Sequence, residues 1–142
     1  MMNKSFSFIF ILLAIFSVVT AKLTNDFESC YEQDVPTLDV NFNPDPIPAP
    51  GTGATTIFTV TGTALNNSIF VDTDLIEFYF YSNFVESNPS YSLKVPFGIG
   101  NFTQNYTIIT PEFTESNYVI QIILFNNFQM AGCVRFKRNS FQ

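Results

Sequence analysis

Leu75–Phe84, LIEFYFYSNF, decides the fold. Apolar Ile76, Phe78 and Phe80 alternate with Glu77, Tyr79 and Tyr81. That is the period of a β-strand with one face buried. The same alternation recurs on both sides. Over Thr37–Asn43, Leu38, Val40 and Phe42 oppose Asp39, Asn41 and Asn43. Over Thr55–Ala64, Phe58, Val60 and Gly62 oppose Thr59, Thr61 and Thr63. Tyr91–Phe97 and Asn105–Thr110 are weaker strands around a Gly98–Gly100 loop. Tyr118–Phe125 is strongly β, with Gln121 on its outer face, and Ala131–Arg138 sets Val134 and Phe136 against Arg135 and Lys137. Pro44–Gly51 carries too many prolines for a central strand and predicts a rigid turn. Asn66-Asn67-Ser68 predicts another turn. There is no internal repeat and no helical period beyond about two turns. Roughly six to eight short strands separated by turn signals predict an all-β chain, an antiparallel immunoglobulin-like β-sandwich.

The N-terminus carries a different signal. One cationic side chain, Lys4, precedes an apolar run from Phe6 to Phe16 that only Ser7 interrupts. Val19-Thr20-Ala21 then offers small residues where a signal peptidase cuts. The reading is a signal peptide over residues 1–21 and a mature domain over 22–142. The apolar run is short for a membrane span, and polar residues interrupt every later strand. The expected location is outside the cell, or the lumen of a vacuolar or endosomal compartment. Disulfides persist in such compartments. The only cysteines, Cys30 and Cys133, sit near the two ends of the mature chain and predict one disulfide. In the chain-entropy model, closing a loop of about 100 residues destabilises the unfolded chain by roughly 4–5 kcal/mol.

The roughly 120 residues after the leader suit one domain with a sizeable core. Charged residues make up 13% and aromatics 17%, and the net charge is −6. An acidic chain without a basic stripe is a poor ligand for nucleic acid, and its net charge does not draw it to anionic membranes. The chain has no histidine. That removes Ser-His-Asp and Cys-His catalysis and most zinc sites. No phosphate-binding glycine motif occurs, and Asp72-Thr73-Asp74 lacks the later ligands and the glycine of a calcium loop. It reads as a turn. No spacing singles out a carboxylate pair. The expectation is a protein that is not an enzyme and needs neither metal nor cofactor. Asn66, Asn101 and Asn105 head the sequons Asn66-Asn67-Ser68, Asn101-Phe102-Thr103 and Asn105-Tyr106-Thr107, in predicted turns or at strand ends where a glycan is tolerable.

Two stretches carry a family resemblance. The first is Asn43–Ala64, NPDPIPAPGTGATTIFTVTGTA, in which a Pro-Asp-Pro turn and a Pro-Gly precede a Thr-rich strand. The second is Thr110–Lys137, TPEFTESNYVIQIILFNNFQMAGCVRFK. There a proline, a polar turn, a tyrosine opening an apolar strand, a polar hairpin and a cysteine follow one another. Together they resemble the ML (MD-2-related lipid-recognition) domain, in particular fungal phosphatidylglycerol/phosphatidylinositol transfer proteins and Niemann–Pick C2-type sterol carriers. The order of features holds over nearly the whole mature chain. In that family a disulfide joins the N-terminal segment to the last strand, as Cys30 and Cys133 would here.

The resemblance implies a sandwich whose sheets are splayed around a lipid cavity. It implies a monomeric, non-enzymatic carrier that takes one lipid, a phospholipid or a sterol, and exchanges it with donor and acceptor membranes. The expected lipid-contacting residues are those on the inward faces: Phe58, Val60, Ile76, Phe78, Phe80, Leu93, Val95, Phe97, Ile108, Tyr118, Ile120, Ile122 and Leu124. Lys94, Arg135, Lys137 and Arg138 are candidates to meet an anionic head group at the mouth. The chain departs from the family in lacking a further disulfide near the middle strands. Phe84–Asn101 holds Asn88-Pro89 and Pro96 but no cysteine. Head-group specificity carried by those loops in relatives therefore does not transfer. The same alternation also fits a closed immunoglobulin-like module that acts through its exposed face.

Overall fold

The computed structural model describes residue 30 and residues 35–45, 54–82, 85–111 and 117–139. The expected signal peptide, its expected cut after Ala21 and most of the predicted proline-rich turn lie outside these residues. Within them the chain forms β1 (Asp39–Asn43), β2 (Thr55–Thr63), β3 (Leu75–Ser82), β4 (Val85–Lys94), β5 (Asn101–Ile109), β6 (Asn117–Asn126) and β7 (Gln129–Asn139), with one 3-10 turn at Leu65–Asn67. Two antiparallel sheets result, a 3-stranded one ordered β1-β2-β5 and a 4-stranded one ordered β4-β3-β6-β7. They pack face to face as an all-β sandwich. Among the described residues no helix is long and apolar enough to cross a membrane.

Alternation places the core. Val40, Phe58, Val60, Ile76, Phe78, Phe80, Ile120, Ile122, Leu124, Val134 and Phe136 are all buried between the sheets. Gly62 permits close approach: a Cβ there would lie 2.7 Å from Leu124 Cδ2 and 2.8 Å from Phe102 Cε1. One lateral edge is closed by the N-terminal segment. Thr37 bridges Cys133 in parallel, and the Cys133 amide donates to the Pro36 carbonyl at 3.0 Å. The chain then crosses to the other sheet as β1. Cys30 and Cys133 form the expected disulfide, with Cα atoms 5.7 Å apart. Covering β7 in this way removes an open strand edge.

Two strands begin earlier than the alternation predicts. β4 starts at Val85 rather than Tyr91 and runs through Asn88-Pro89. It is an edge strand, where a proline's missing N–H costs no ladder bond. Its register slips between Phe78 and Phe80 of β3, so the proline sits at a bulge. β5 starts at Asn101 rather than Asn105. Its added inward residue, Phe102, packs edge-on against Phe70 at 5.3 Å.

A buried polar hub fastens the end of the sandwich that carries the β6–β7 hairpin. Asp74 lies in the predicted turn but is itself buried. Its Oδ2 accepts from the Val71 amide at 2.8 Å and from Asn126 Nδ2 at 2.7 Å, and its Oδ1 accepts from the Asn127 amide at 2.8 Å. Asn126 Oδ1 in turn accepts from the Leu65 amide at 3.0 Å and from Ser68 Oγ at 2.9 Å. The two buried side chains satisfy partly buried donors on three segments. Replacing Asp74 by Ala removes the acceptor of the Val71 and Asn127 amides and of Asn126 Nδ2, so Asp74→Ala is expected to destabilise the fold by about 3 kcal/mol, measured by urea unfolding.

Candidate functional site

The inward faces meet across a zigzag of rings. Phe136 of β7 stacks on Phe42 of β1 at 5.1 Å, and Phe42 on Phe58 of β2 at 5.3 Å. Phe58 tilts against Phe78 of β3 at 5.3 Å, and Phe78 against Tyr106 of β5 at 5.6 Å. Each such pair adds about 0.5–1.5 kcal/mol beyond the area it buries.

Of the residues expected to line a cavity, Phe58, Val60, Ile76, Phe78, Phe80, Val95, Ile108, Tyr118, Ile120, Ile122 and Leu124 are buried together in this interior. Leu93 is half-buried and packs against them. Phe97 is the correction. It is 71% exposed, because β4 ends at Lys94 and Pro96 breaks the alternation that would have turned it inward.

The interior is not uniformly apolar. Three inward hydroxyl groups, Thr56 Oγ1, Ser82 Oγ and Tyr106 Oη, are buried with no hydrogen-bond partner among the described residues. Their residues are 0%, 8% and 4% exposed. Thr56 is two residues before Phe58 on β2, and Ser82 is two residues after Phe80 on β3. Tyr106 faces Phe58 in register, and Ser82 faces Tyr118. Thr56 and Ser82 therefore lie toward the end opposite the hairpin, and Tyr106 joins them at the level of the rings. An unpartnered buried hydroxyl costs about 1–3 kcal/mol. The expected cavity set missed all three. The signal was present, since Thr56 and Ser82 share the parity of their apolar neighbours and Tyr106 that of Ile108.

The cationic candidates do not gather at one mouth. Lys94 sits at the hairpin end, paired in register with Leu75 and 3.6 Å from the carboxylate of Asp72. Arg135 and Lys137 lie on the outer face of β7. Arg138 alone turns inward, at the opposite end, where it is buried over the rings of Phe42 and Phe136 at 5.5 and 5.2 Å. Its Nε donates to Asp45 Oδ1 at 2.9 Å and its Nη2 to Asp45 Oδ2 at 3.3 Å, a two-pronged ion pair.

The outer face of the three-stranded sheet is polar and nearly uncharged. Thr61 pairs with Thr103 through their hydroxyls at 2.9 Å, and Thr59 donates to Asn105 Oδ1 at 2.8 Å. Asn101 and Asn105 are exposed on this face. Each shares it with the sequon threonine two residues on, while the middle residues Phe102 and Tyr106 turn inward. Asn105 lies within β5, not at its start as the alternation suggested, but β5 is an edge strand and the side chain stays accessible. Asn66 is exposed in the 3-10 turn. No protein-family model matches the chain, and no curated protein matches it.

Three tyrosines are held neutral. Burial pushes the Tyr106 phenol up to about 12. Tyr79 is pushed up to about 12, first by its 2.6 Å hydrogen bond to Glu77, then by burial and the charges of Glu77 and Glu86. Burial also raises Tyr91, partly offset by its hydrogen bond to the Ile109 carbonyl. A phenol raised above its unfolded value of 10.0 stabilises the fold in full below that pH. The contribution is lost as pH climbs through the folded value. Phenolate absorbance should therefore show Tyr79, Tyr91 and Tyr106 ionising above pH 10.0, and stability should decline from pH 10.0 toward about 12. Ionisation of Tyr106 and Tyr79 at pH 10.0 in the folded protein would contradict this.

Proposed function

We propose that the protein binds one amphiphilic lipid between its two sheets and carries it between membranes, as a secreted or lumenal carrier of the ML kind. The observation that carries this reading is the set of three unpartnered hydroxyl groups beside the apolar residues of the interior. A lipid's phosphate, glycerol or hydroxyl oxygens would supply the missing partners, and its hydrocarbon would lie among Val60, Ile76, Ile122 and Leu124. Burial of that hydrocarbon contributes about 25 cal/mol per Å² without directional contacts. The polar end of the lipid would face Thr56 and Ser82, near Arg138. The cargo classes are a phospholipid such as phosphatidylinositol or phosphatidylglycerol, or a sterol. The leader and the sequons at Asn66, Asn101 and Asn105 support a glycosylated protein outside the cytosol.

A second reading, a closed immunoglobulin-like interaction module, is favoured by the ring zigzag. Those rings touch across the gap, so a lipid is admitted only where they part. Transfer of fluorescent phosphatidylglycerol, phosphatidylinositol and dehydroergosterol between vesicles separates the two. The carrier reading expects transfer of at least one of them. Thr56→Val and Tyr106→Phe should each weaken uptake about tenfold, while stabilising the lipid-free protein by about 1 kcal/mol. No uptake of any of the three lipids would leave the closed module.

A further inference from the structure

We propose that the hairpin end of the sandwich is a docking face for a zwitterionic membrane, into whose interface it inserts apolar side chains. The proposal concerns the exterior and does not rest on the cargo reading. Three segments meet at this end and each exposes large apolar residues: Ile69 and Val71 before β3, Phe97 and Ile99 between β4 and β5, and Phe128 in the β6–β7 turn. They form one fixed surface. The Phe70 amide donates to the Ile99 carbonyl at 2.9 Å, and the Gly98 amide to the Phe70 carbonyl at 2.8 Å. The Asp74–Asn126 hub ties the turn to the first segment, since Asn126 Nδ2 also reaches the Ile69 carbonyl at 3.4 Å.

Phe128 gives an independent reason. Asn127 and Phe128 both have positive φ, 52° and 61°. A two-residue hairpin turn of this kind ordinarily places glycine second, because a bulky residue is strained there. Here the strained position presents a phenyl ring that is 87% exposed and gains no packing in return. Backbone strain without a folding benefit marks a place of function.

The charge pattern selects the occupant. Among the described residues the only cation bordering the tips, Lys94, is engaged by Asp72, both through its carboxylate at 3.6 Å and through its carbonyl. The chain as a whole is acidic, with a net charge of −6. An anionic bilayer is therefore repelled rather than attracted. The apolar tips also stand on separate loops with polar Asp72 and Asn127 between them. A fluid interface takes such side chains one by one, whereas a protein partner favours a continuous patch.

The chain has no tryptophan, so Phe128→Trp is a clean reporter. With phosphatidylcholine vesicles its emission should shift to the blue and be quenched by brominated lipid, with little dependence on salt. The pair of changes Phe97→Ser and Phe128→Ser should lower vesicle binding at least tenfold in a protein whose far-ultraviolet dichroism is unchanged. Asn66 lies at the same end, so the measurement is made with and without Asn66→Gln. Absence of a shift in both forms overturns the proposal. So does a shift that needs anionic lipid, or one that rises with protein concentration without vesicles, which would seat a second copy there. Lipid transfer can fail while this shift persists, so the two readings are tested separately.

Discussion

Phe58 is the point at which the two sheets are locked together. Its ring touches Phe42 beside it and both Phe78 and Phe80 across the gap, at 5.3, 5.3 and 6.4 Å. From it the zigzag reaches Phe136 at one edge and Tyr106 at the other. Rings this large set the spacing of the sheets. Everything smaller on the inward faces then fills the volume that spacing leaves. The same contact constrains the proposed carrier function, because a lipid in the interior would have to displace part of the zigzag.

The two ends of the sandwich have opposite characters. At the hairpin end, Asp74 and Asn126 satisfy the backbone of three segments, and apolar side chains project outward from a rigid base. At the other end, Thr56 and Ser82 point inward without partners, and Arg138 is buried in an ion pair with Asp45 over two aromatic rings. Burying that pair is costly unless both prongs are made, and both are. One end is thus internally complete and outwardly apolar. The other is outwardly bound and internally incomplete.

Much of the fold was legible in the sequence because a period of two needs only local information. Ile76-Glu77-Phe78-Tyr79-Phe80 fixes both the strand and the face that is buried. The cysteine pair, too, required only the expected leader and a count. The errors arose where tertiary position overrides local rules. Pro89 reads as a breaker unless β4 is known to be an edge strand with a bulge. Phe97 keeps the right parity but falls beyond Pro96, after the ladder has ended. Asp74 reads as a surface turn residue because its partners, Asn126 and Asn127, are some fifty positions away. The unpartnered hydroxyls at Thr56 and Ser82 follow the alternation, but a threonine or serine on an inward face looks like ordinary strand composition. Only the structure shows that no group among the described residues answers them.

The central claim is that the interior is completed by an amphiphile. Native mass spectrometry of the protein as purified from its source, with lipid extraction from the same sample, tests it most directly. The account predicts one co-purifying lipid per chain, a phospholipid or a sterol. A bare protein that stays bare after incubation with phospholipid and sterol vesicles would contradict it.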